Sequence, residues 1–115
     1  MALDPDYAWT HGVLGVWHLQ IVRHGGPGLA EELYAASSEE GRAHCARARA
    51  LAPGELTLRY GCTVSLLELD AKAFGKSAAE ELKHIVHAPA DDAAERLVQH
   101  EARRLLKRPD RGAVY

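Results

Sequence analysis

The sequence predicts an all-α fold made of antiparallel helical hairpins. Aromatic residues make up only 6% of the 115 residues, and the dominant residues are strong helix formers, so propensity favours helix nearly throughout. At three predicted helix starts a serine or aspartate is followed three residues later by glutamate, the pattern of a helix N-terminal capping box. The pairs are Ser37 with Glu40, Ser77 with Glu80, and Asp92 with Glu95. A Pro-Gly pair at residues 53–54 separates two apolar runs and indicates a tight turn between helices.

The expected helices follow from the spacing of apolar residues and from these capping and turn residues. The first is predicted over residues 6–24, with Asp6 as its N-cap, because apolar residues recur there at three- and four-residue intervals. Gly25, Gly26 and Pro27 should end it, and residues 28–36 contain enough apolar residues for a short further helix. The remaining helices are expected over residues 38–51, 55–71, 77–87 and 91–107, joined by short connections that favour antiparallel neighbours.

The same spacing predicts which side chains form the core. The expected core residues are Leu14, Trp17, Cys45, Ala48, Leu51, Leu58, Cys62, Leu66, Leu82, Ile85, Leu97 and Leu105. The two cysteines are expected to be small apolar core residues with free thiols in a reducing compartment, because two are too few for a disulfide framework.

Gly15 stands in the middle of the first predicted helix. Glycine there costs about 1 kcal/mol relative to alanine. A neighbouring helix that crosses closely at this point would explain the residue, and the alternative is a tolerated glycine on the surface.

Two segments have the spacing of a known helical repeat. His11, Leu14, Gly15 and His18 stand where the tetratricopeptide repeat family has a tryptophan, a leucine-glycine pair and a tyrosine. Gly41, Cys45 and Ala48, followed by Pro53, stand where its second helix has an alanine, an aromatic residue and a closing proline. The chain therefore resembles that family over most of its length.

The resemblance implies one helical-repeat domain over residues 1–115. Unit one would cover 6–53, with an insertion at 27–38 because its span exceeds the family period of about 34 residues. A degenerate unit two would cover 55–89, and residues 91–107 would form a C-terminal capping helix.

The resemblance also implies a function. Tetratricopeptide repeats bind a protein or peptide in the groove lined by the first helix of each unit, which would carry Trp9, Val16, Gln20, Thr57, Tyr60, Val64 and Glu68. Trp9 and Tyr60 would be rigid anchors for the ligand, unless they are simply buried. The expected function is a non-enzymatic protein- or peptide-binding module without a cofactor.

Seven histidines are the one compositional excess, and they support an alternative function, a small helical bundle that binds a metal or small molecule. His11 and His18 share a helix face, but two helical turns put them about 10 Å apart, too far to share one zinc ion. His84 and His87, with Glu80 and Glu81 one turn earlier, form only a partial ligand set. No metal site is therefore expected.

Several function classes are excluded by what the sequence lacks. It contains no phosphate-binding glycine loop, nucleophile elbow or zinc-protease helix, and so no catalytic residues are expected. The net charge of −2 argues against a nucleic-acid or membrane partner. With neither a signal-peptide pattern nor a membrane-spanning run, a cytoplasmic location is expected.

Self-association is also expected, because the first helix offers an open apolar surface. Two repeat units are fewer than the three that such arrays generally need, and Trp9, Val13, Val16 and Trp17 would be left uncovered. A homodimer through this helix would cover them. The alternative is that the insertion at 27–38 folds back and serves as a cap.

Overall fold

Five α-helices account for all the regular structure in residues 7–107, the part of the chain that the computed structural model describes. They are α1 (Ala8–Tyr34), α2 (Ser38–Leu51), α3 (Leu56–Leu69), α4 (Ala71–His87) and α5 (Ala93–Lys107). The all-α prediction is confirmed for these residues. No helix among them is long and apolar enough to cross a membrane. The chain divides at the predicted Pro-Gly turn into two compact units, Met1–Pro53 and Gly54–Tyr115.

Two of the three predicted capping boxes are confirmed as N-caps. The Ser37 side chain accepts a hydrogen bond from the Glu40 amide at 3.1 Å, and Asp92 accepts one from the Glu95 amide at 2.8 Å. The cap predicted at Ser77 is wrong. The N-cap of α4 is Asp70, which accepts from the Ala73 amide at 3.0 Å, so α4 begins six residues earlier than expected. The predicted cap Asp6 lies outside the described residues.

The first helix is longer than predicted and is kinked. Gly26 has φ 80° and ψ 157°, a conformation that glycine adopts without a steric penalty, and Pro27 follows it. The break expected after residue 24 is therefore present, but the chain resumes helix at once and ends at Tyr34. Ala35 closes the helix in the left-handed conformation, with φ 52°. Most of the predicted insertion at 27–38 is thus part of α1.

In unit 1, α1 and α2 pack closely at two glycines. A methyl group on Gly15 would lie 3.0 Å from the carbonyl oxygen of Gly41 and 2.6 Å from Cys45 Sγ. A methyl group on Gly41 would lie 2.8 Å from Leu19, whose side chain is fully buried. The expectation that a helix crosses closely at Gly15 is confirmed.

In unit 2, a single apolar cluster joins α3, α4 and α5. Its buried members are Leu67, Ala78, Leu82, Ile85 and Ala102, and Tyr60, Val86, Val98, Leu105 and Leu106 pack against them. Burial raises the pKa of Tyr60, and the nearby Glu101 adds to the effect. The apolar cluster is the main stabilising feature of this unit.

Two polar contacts add specificity to unit 2. Arg59 of α3 donates two hydrogen bonds to Glu81 of α4, from Nε at 2.7 Å and from Nη2 at 2.9 Å, and these raise the pKa of the guanidinium. Gln99 of α5 is buried, and its amide donates to the carbonyls of Ile85 and Ala88 at the end of α4. The Ile85 carbonyl also accepts from the Ala88 amide at 3.3 Å, so Gln99 adds a second donor to the carbonyls at the end of α4.

The predicted core is correct in part. Cys45, Ala48, Leu58, Cys62, Leu82 and Ile85 are buried, and Leu14, Leu51, Leu66 and Leu105 are half-buried. Trp17 and Leu97 are not core residues, since their exposed fractions are 40% and 60%. The expected free thiols are also wrong, because both cysteines are disulfide-bonded. The cytoplasmic location stays a prediction.

Candidate functional site

The first helix exposes a row of apolar side chains, which we call the α1 stripe: Trp9, Val13 and Trp17. They are four residues apart and therefore share one helix face. Their exposed fractions are 38%, 60% and 40%. Tyr7, 54% exposed, continues the row at the start of the helix. The apolar pattern that predicted a core position for Trp17 thus belongs to an exposed face.

The α1 stripe borders a shallow apolar depression. Its volume is about 270 Å³, and it is lined by Tyr7, Trp9, Thr10, Val13 and Leu14. No charged residue occurs between Ala8 and Val22. This surface therefore suits an apolar, uncharged group, such as the hydrophobic side of a helix.

A second feature of unit 1 is a cluster of histidines between α1 and α2, which we call the histidine cluster: His11, His18 and His44. His44 lies between the two α1 histidines, with ring centroids 5.2 Å from His11 and 5.6 Å from His18. The His18 and His44 rings are stacked, at 16° between their planes. The edge of the Trp17 ring meets His18 at a centroid distance of 5.0 Å, so the cluster adjoins the α1 stripe.

Burial and hydrogen bonding fix the His18 ring. The residue is 7% exposed, and its Nδ1 accepts a hydrogen bond from the Ser37 amide at 3.1 Å. A ring nitrogen that accepts a hydrogen bond carries no proton. In this hydrogen bond Nδ1 is the acceptor, so the ring proton is placed on Nε2.

His44 contacts both a histidine and a carboxylate. Its Nδ1 lies 3.0 Å from Nδ1 of His11, so one of these two nitrogens donates to the other. Its Nε2 lies 3.9 Å from Oε2 of Glu40, one turn earlier on α2. Burial lowers the pKa of His44, His11 and His18 lower it further, and Glu40 opposes them. The neutral imidazole is therefore favoured.

Two histidines of this cluster, His18 and His44, converge with Glu40 closely enough to share a ligand. One donor atom from each of His18, Glu40 and His44 lies within 4.8 Å of the other two. His18 is buried, His44 is half-buried and Glu40 is exposed, so the group opens toward solvent on the Glu40 side. The arrangement offers two imidazoles and one carboxylate, a donor set that suits zinc.

The predicted groove residues have different exposures. Trp9, Thr57 and Glu68 are exposed, whereas Val16, Gln20, Tyr60 and Val64 are half-buried. Tyr60 packs against the apolar cluster of unit 2, while Trp9 belongs to the α1 stripe. Their role as a ligand groove stays a prediction.

The other predicted histidine pair lies in a polar depression of unit 2. His84 and His87 are exposed, and they line a depression of about 480 Å³ together with Arg59, Glu80 and Lys83. Within residues 7–107, the donor group that converges is in unit 1 instead.

Sequence reasoning missed the histidine cluster because it compared histidines of the same helix. His11 and His18 are too far apart along α1 to share an ion, but α2 brings His44 between them. The Gly15 and Gly41 pair was the available signal, since a close crossing at Gly15 places the neighbouring turns of α1 and α2 in contact.

Comparison of the chain with protein-family models, with curated proteins and with solved structures returned no match. The functional argument therefore depends on the residues described above.

Proposed function

We propose that this chain is a non-enzymatic helical-repeat module that binds a protein or peptide, and that the α1 stripe is part of its binding surface. The observation that carries the proposal is the exposure of two tryptophans and a valine on one face of α1. Exposed tryptophans are frequent binding hot spots, because a large rigid ring loses little conformational entropy on binding. The tetratricopeptide resemblance supports Trp9 as a ligand anchor, and Val13 and Trp17 of the stripe are not among the groove residues that it implies.

The size of the stripe favours a peptide or a single helix as the occupant. Aromatic side chains offer about 150–250 Å² each, so the exposed fractions of Tyr7, Trp9, Val13 and Trp17 amount to roughly 400 Å² of contact surface. A stable protein interface buries about 800 Å² on each partner. The stripe alone is therefore too small for a stable homodimer but sufficient for a short apolar helix.

The chemistry of the face specifies the ligand further. Because the helix carries no charge between Ala8 and Val22, charge attraction contributes little to binding there. We expect the ligand to be an amphipathic peptide that places apolar side chains at helical spacing against the stripe.

The chain contains its own reporter of binding. Both of its tryptophans lie in the α1 stripe, so burial of the stripe shifts tryptophan emission to shorter wavelength. Random 16-residue peptides would be selected by display on the intact protein. The selected peptides would then be titrated against the wild-type protein in the presence of a chelator, which removes any effect of metal on Trp17.

A matched control separates the stripe from exposed apolar surface in general. Val13 and Leu97 are both 60% exposed and lie in different units, so Val13→Glu and Leu97→Glu make the same kind of change. We expect Val13→Glu to weaken peptide binding at least tenfold and Leu97→Glu to leave it unchanged. Peptides that bind all three proteins equally, or a selection that enriches none, would contradict the proposal. A dimer of the intact protein in sedimentation velocity, dissociated by Val13→Glu alone, would identify a second copy as the occupant and would also contradict it.

A further inference from the structure

We propose that His18, Glu40 and His44 form a binding site for a divalent transition metal, with zinc as the best-fitting ion. The proposal does not rest on the proposed function, because none of its three residues belongs to the α1 stripe. His18 does contact Trp17 of the stripe, at a ring-centroid distance of 5.0 Å, so the peptide titrations are made with a chelator present. The basis of the proposed site is the convergence of two imidazoles and a carboxylate from two helices, with all three donor atoms within 4.8 Å of one another.

Zinc requires the donor atoms to move closer together. Zinc binds imidazole nitrogen and carboxylate oxygen at about 2.0–2.2 Å, so two ligand atoms of a tetrahedral site are about 3.4 Å apart. The His44 Nε2 and Glu40 Oε2 atoms are 3.9 Å apart, and a rotamer adjustment of the long, exposed Glu40 side chain can close that half ångström. Donor atoms at the 4.8 Å limit of the group must close by about 1.4 Å, which requires the imidazole rings to turn as well.

His11 would orient His44 from behind the metal. With zinc on His44 Nε2, the proton of that ring resides on Nδ1, 3.0 Å from Nδ1 of His11. His11 then accepts this hydrogen bond. Such outer partners fix the ligand ring, and their removal typically reduces metal affinity 10- to 100-fold. His11 is a positioning residue in this arrangement.

His18 must exchange a hydrogen bond for the metal. Its Nδ1 accepts from the Ser37 amide. Whichever ring nitrogen binds zinc, the other carries the proton, so Nδ1 no longer accepts and the amide is released. Ser37 is half-buried rather than sealed from water, so water can replace the ring as the acceptor for the released amide. The net contribution of one neutral hydrogen bond is small beside the binding of a zinc ion by three protein ligands, so the exchange does not prevent binding.

Cysteine does not compete for the ion. Cys45 is next to His44 in sequence, but it is disulfide-bonded and offers no thiolate. The three protein ligands leave a fourth tetrahedral position for water, on the exposed side of the site.

The test is zinc binding to the intact protein after treatment with a chelator and dialysis. Zn²⁺ alone would be titrated by calorimetry and in competition with a chromophoric chelator. We expect one tightly bound ion per chain, a loss of at least 100-fold in affinity for His44→Ala and a loss of at least 10-fold for Glu40→Gln. Glu39→Gln is the matched control, because Glu39 is the adjacent exposed glutamate of α2 and is not in the group. It should leave zinc affinity unchanged.

Two further readouts keep the proposal falsifiable if His44→Ala does not fold. His11→Ala should reduce zinc affinity by about 10–100-fold, less than loss of a direct ligand. Zinc should also shift the side-chain nitrogen resonances of His18 and His44 and the amide resonance of Ser37, and should leave those of His84 and His87 unchanged. Zinc affinity that is equal in the wild type, Glu40→Gln and Glu39→Gln would overturn the site. Zinc-induced shifts confined to other histidines would do so as well.

Discussion

Substituting Gly15 by alanine tests the close crossing of α1 and α2. The added methyl carbon would lie 2.6 Å from Cys45 Sγ, 3.0 Å from the Gly41 carbonyl oxygen and 3.1 Å from the Cys45 amide nitrogen. Ordinary contact begins at 3.4 Å, so the sulfur must move by about 0.8 Å and the two backbone atoms by about 0.3–0.4 Å. None of these atoms can rotate away, since two are backbone and the third belongs to a disulfide-bonded residue.

The expected magnitude follows from two opposing effects. Overpacking a close contact costs about 1–3 kcal/mol, whereas replacing glycine by alanine inside a helix gains about 1 kcal/mol. Gly25 is the matched control, because it lies in the same helix and a methyl group there meets no atom within 4 Å. Gly25 directly precedes the kink at Gly26, so the helix-propensity gain there is smaller than at Gly15 and offsets part of the difference. Gly25→Ala should therefore be more stable than Gly15→Ala by about 1–2 kcal/mol.

The assay is urea unfolding followed by tryptophan emission. Trp9 and Trp17 are the only tryptophans and both belong to unit 1, so the signal reports the unit that contains the substitution. The two variants would be compared by their midpoints at equal denaturant dependence. A Gly15→Ala protein as stable as Gly25→Ala would refute the close crossing.

Three further predictions concern the core, the ion pair and the cysteines. Leu82→Ala, at a fully buried position, should cost about 2–5 kcal/mol of stability. Leu97→Ala, at a 60% exposed position, should change stability by less than about 0.5 kcal/mol. Equal melting temperatures of the two variants would contradict the assigned core of unit 2. Glu81→Ala should destabilise the protein by about 2–3 kcal/mol, between the values for exposed and buried ion pairs, because it leaves the Arg59 side chain, only 10% exposed, without this partner. In a double-mutant cycle, the additional substitution Arg59→Ala should recover part of this loss. A thiol-reactive dye should label no cysteine in the denatured, unreduced protein and two after reduction; labelling without reductant would contradict the disulfide-bonded state.

Local chemistry explains which helix boundaries were predictable. Ser37 and Asp92 cap their helices through an amide three residues later, and the glutamate at that position made them visible in the sequence. Asp70 caps α4 through the amide of Ala73. An aspartate needs only the backbone amide and no partner glutamate, so the capping-box pattern selected Ser77 instead. Ser77 lies within α4 and donates its hydroxyl proton to the Phe74 carbonyl.

Tertiary packing decides which face of a helix is buried, as the apolar pattern of α1 shows. This helix has two faces that read as buried: one with the large residues of the stripe, and one with the small residues Gly12 and Gly15 beside Leu19. Hydrophobicity favours burial of the face with the large residues, and Trp17 was accordingly predicted as a core residue. The structure instead buries the face with the small residues, because the glycines allow the α2 backbone to approach α1 closely.

The histidine cluster depends on the same tertiary information. His44 is 33 residues from His11 in sequence, and no periodicity within one helix relates them. Only the packing of α1 against α2 places the ring of His44 beside His11 and His18. A prediction from sequence therefore requires the helix pairing first and the residues of the site second.

The proposal that the α1 stripe binds a peptide can be tested most directly by mapping the contact surface. The ¹⁵N-labelled protein would be titrated with a selected peptide while backbone amide resonances are recorded. We predict that the largest shifts fall on residues 9–17 of α1 and that α4 and α5 change little. Shifts concentrated on α3, α4 or α5, with residues 9–17 unchanged, would contradict the proposed binding surface.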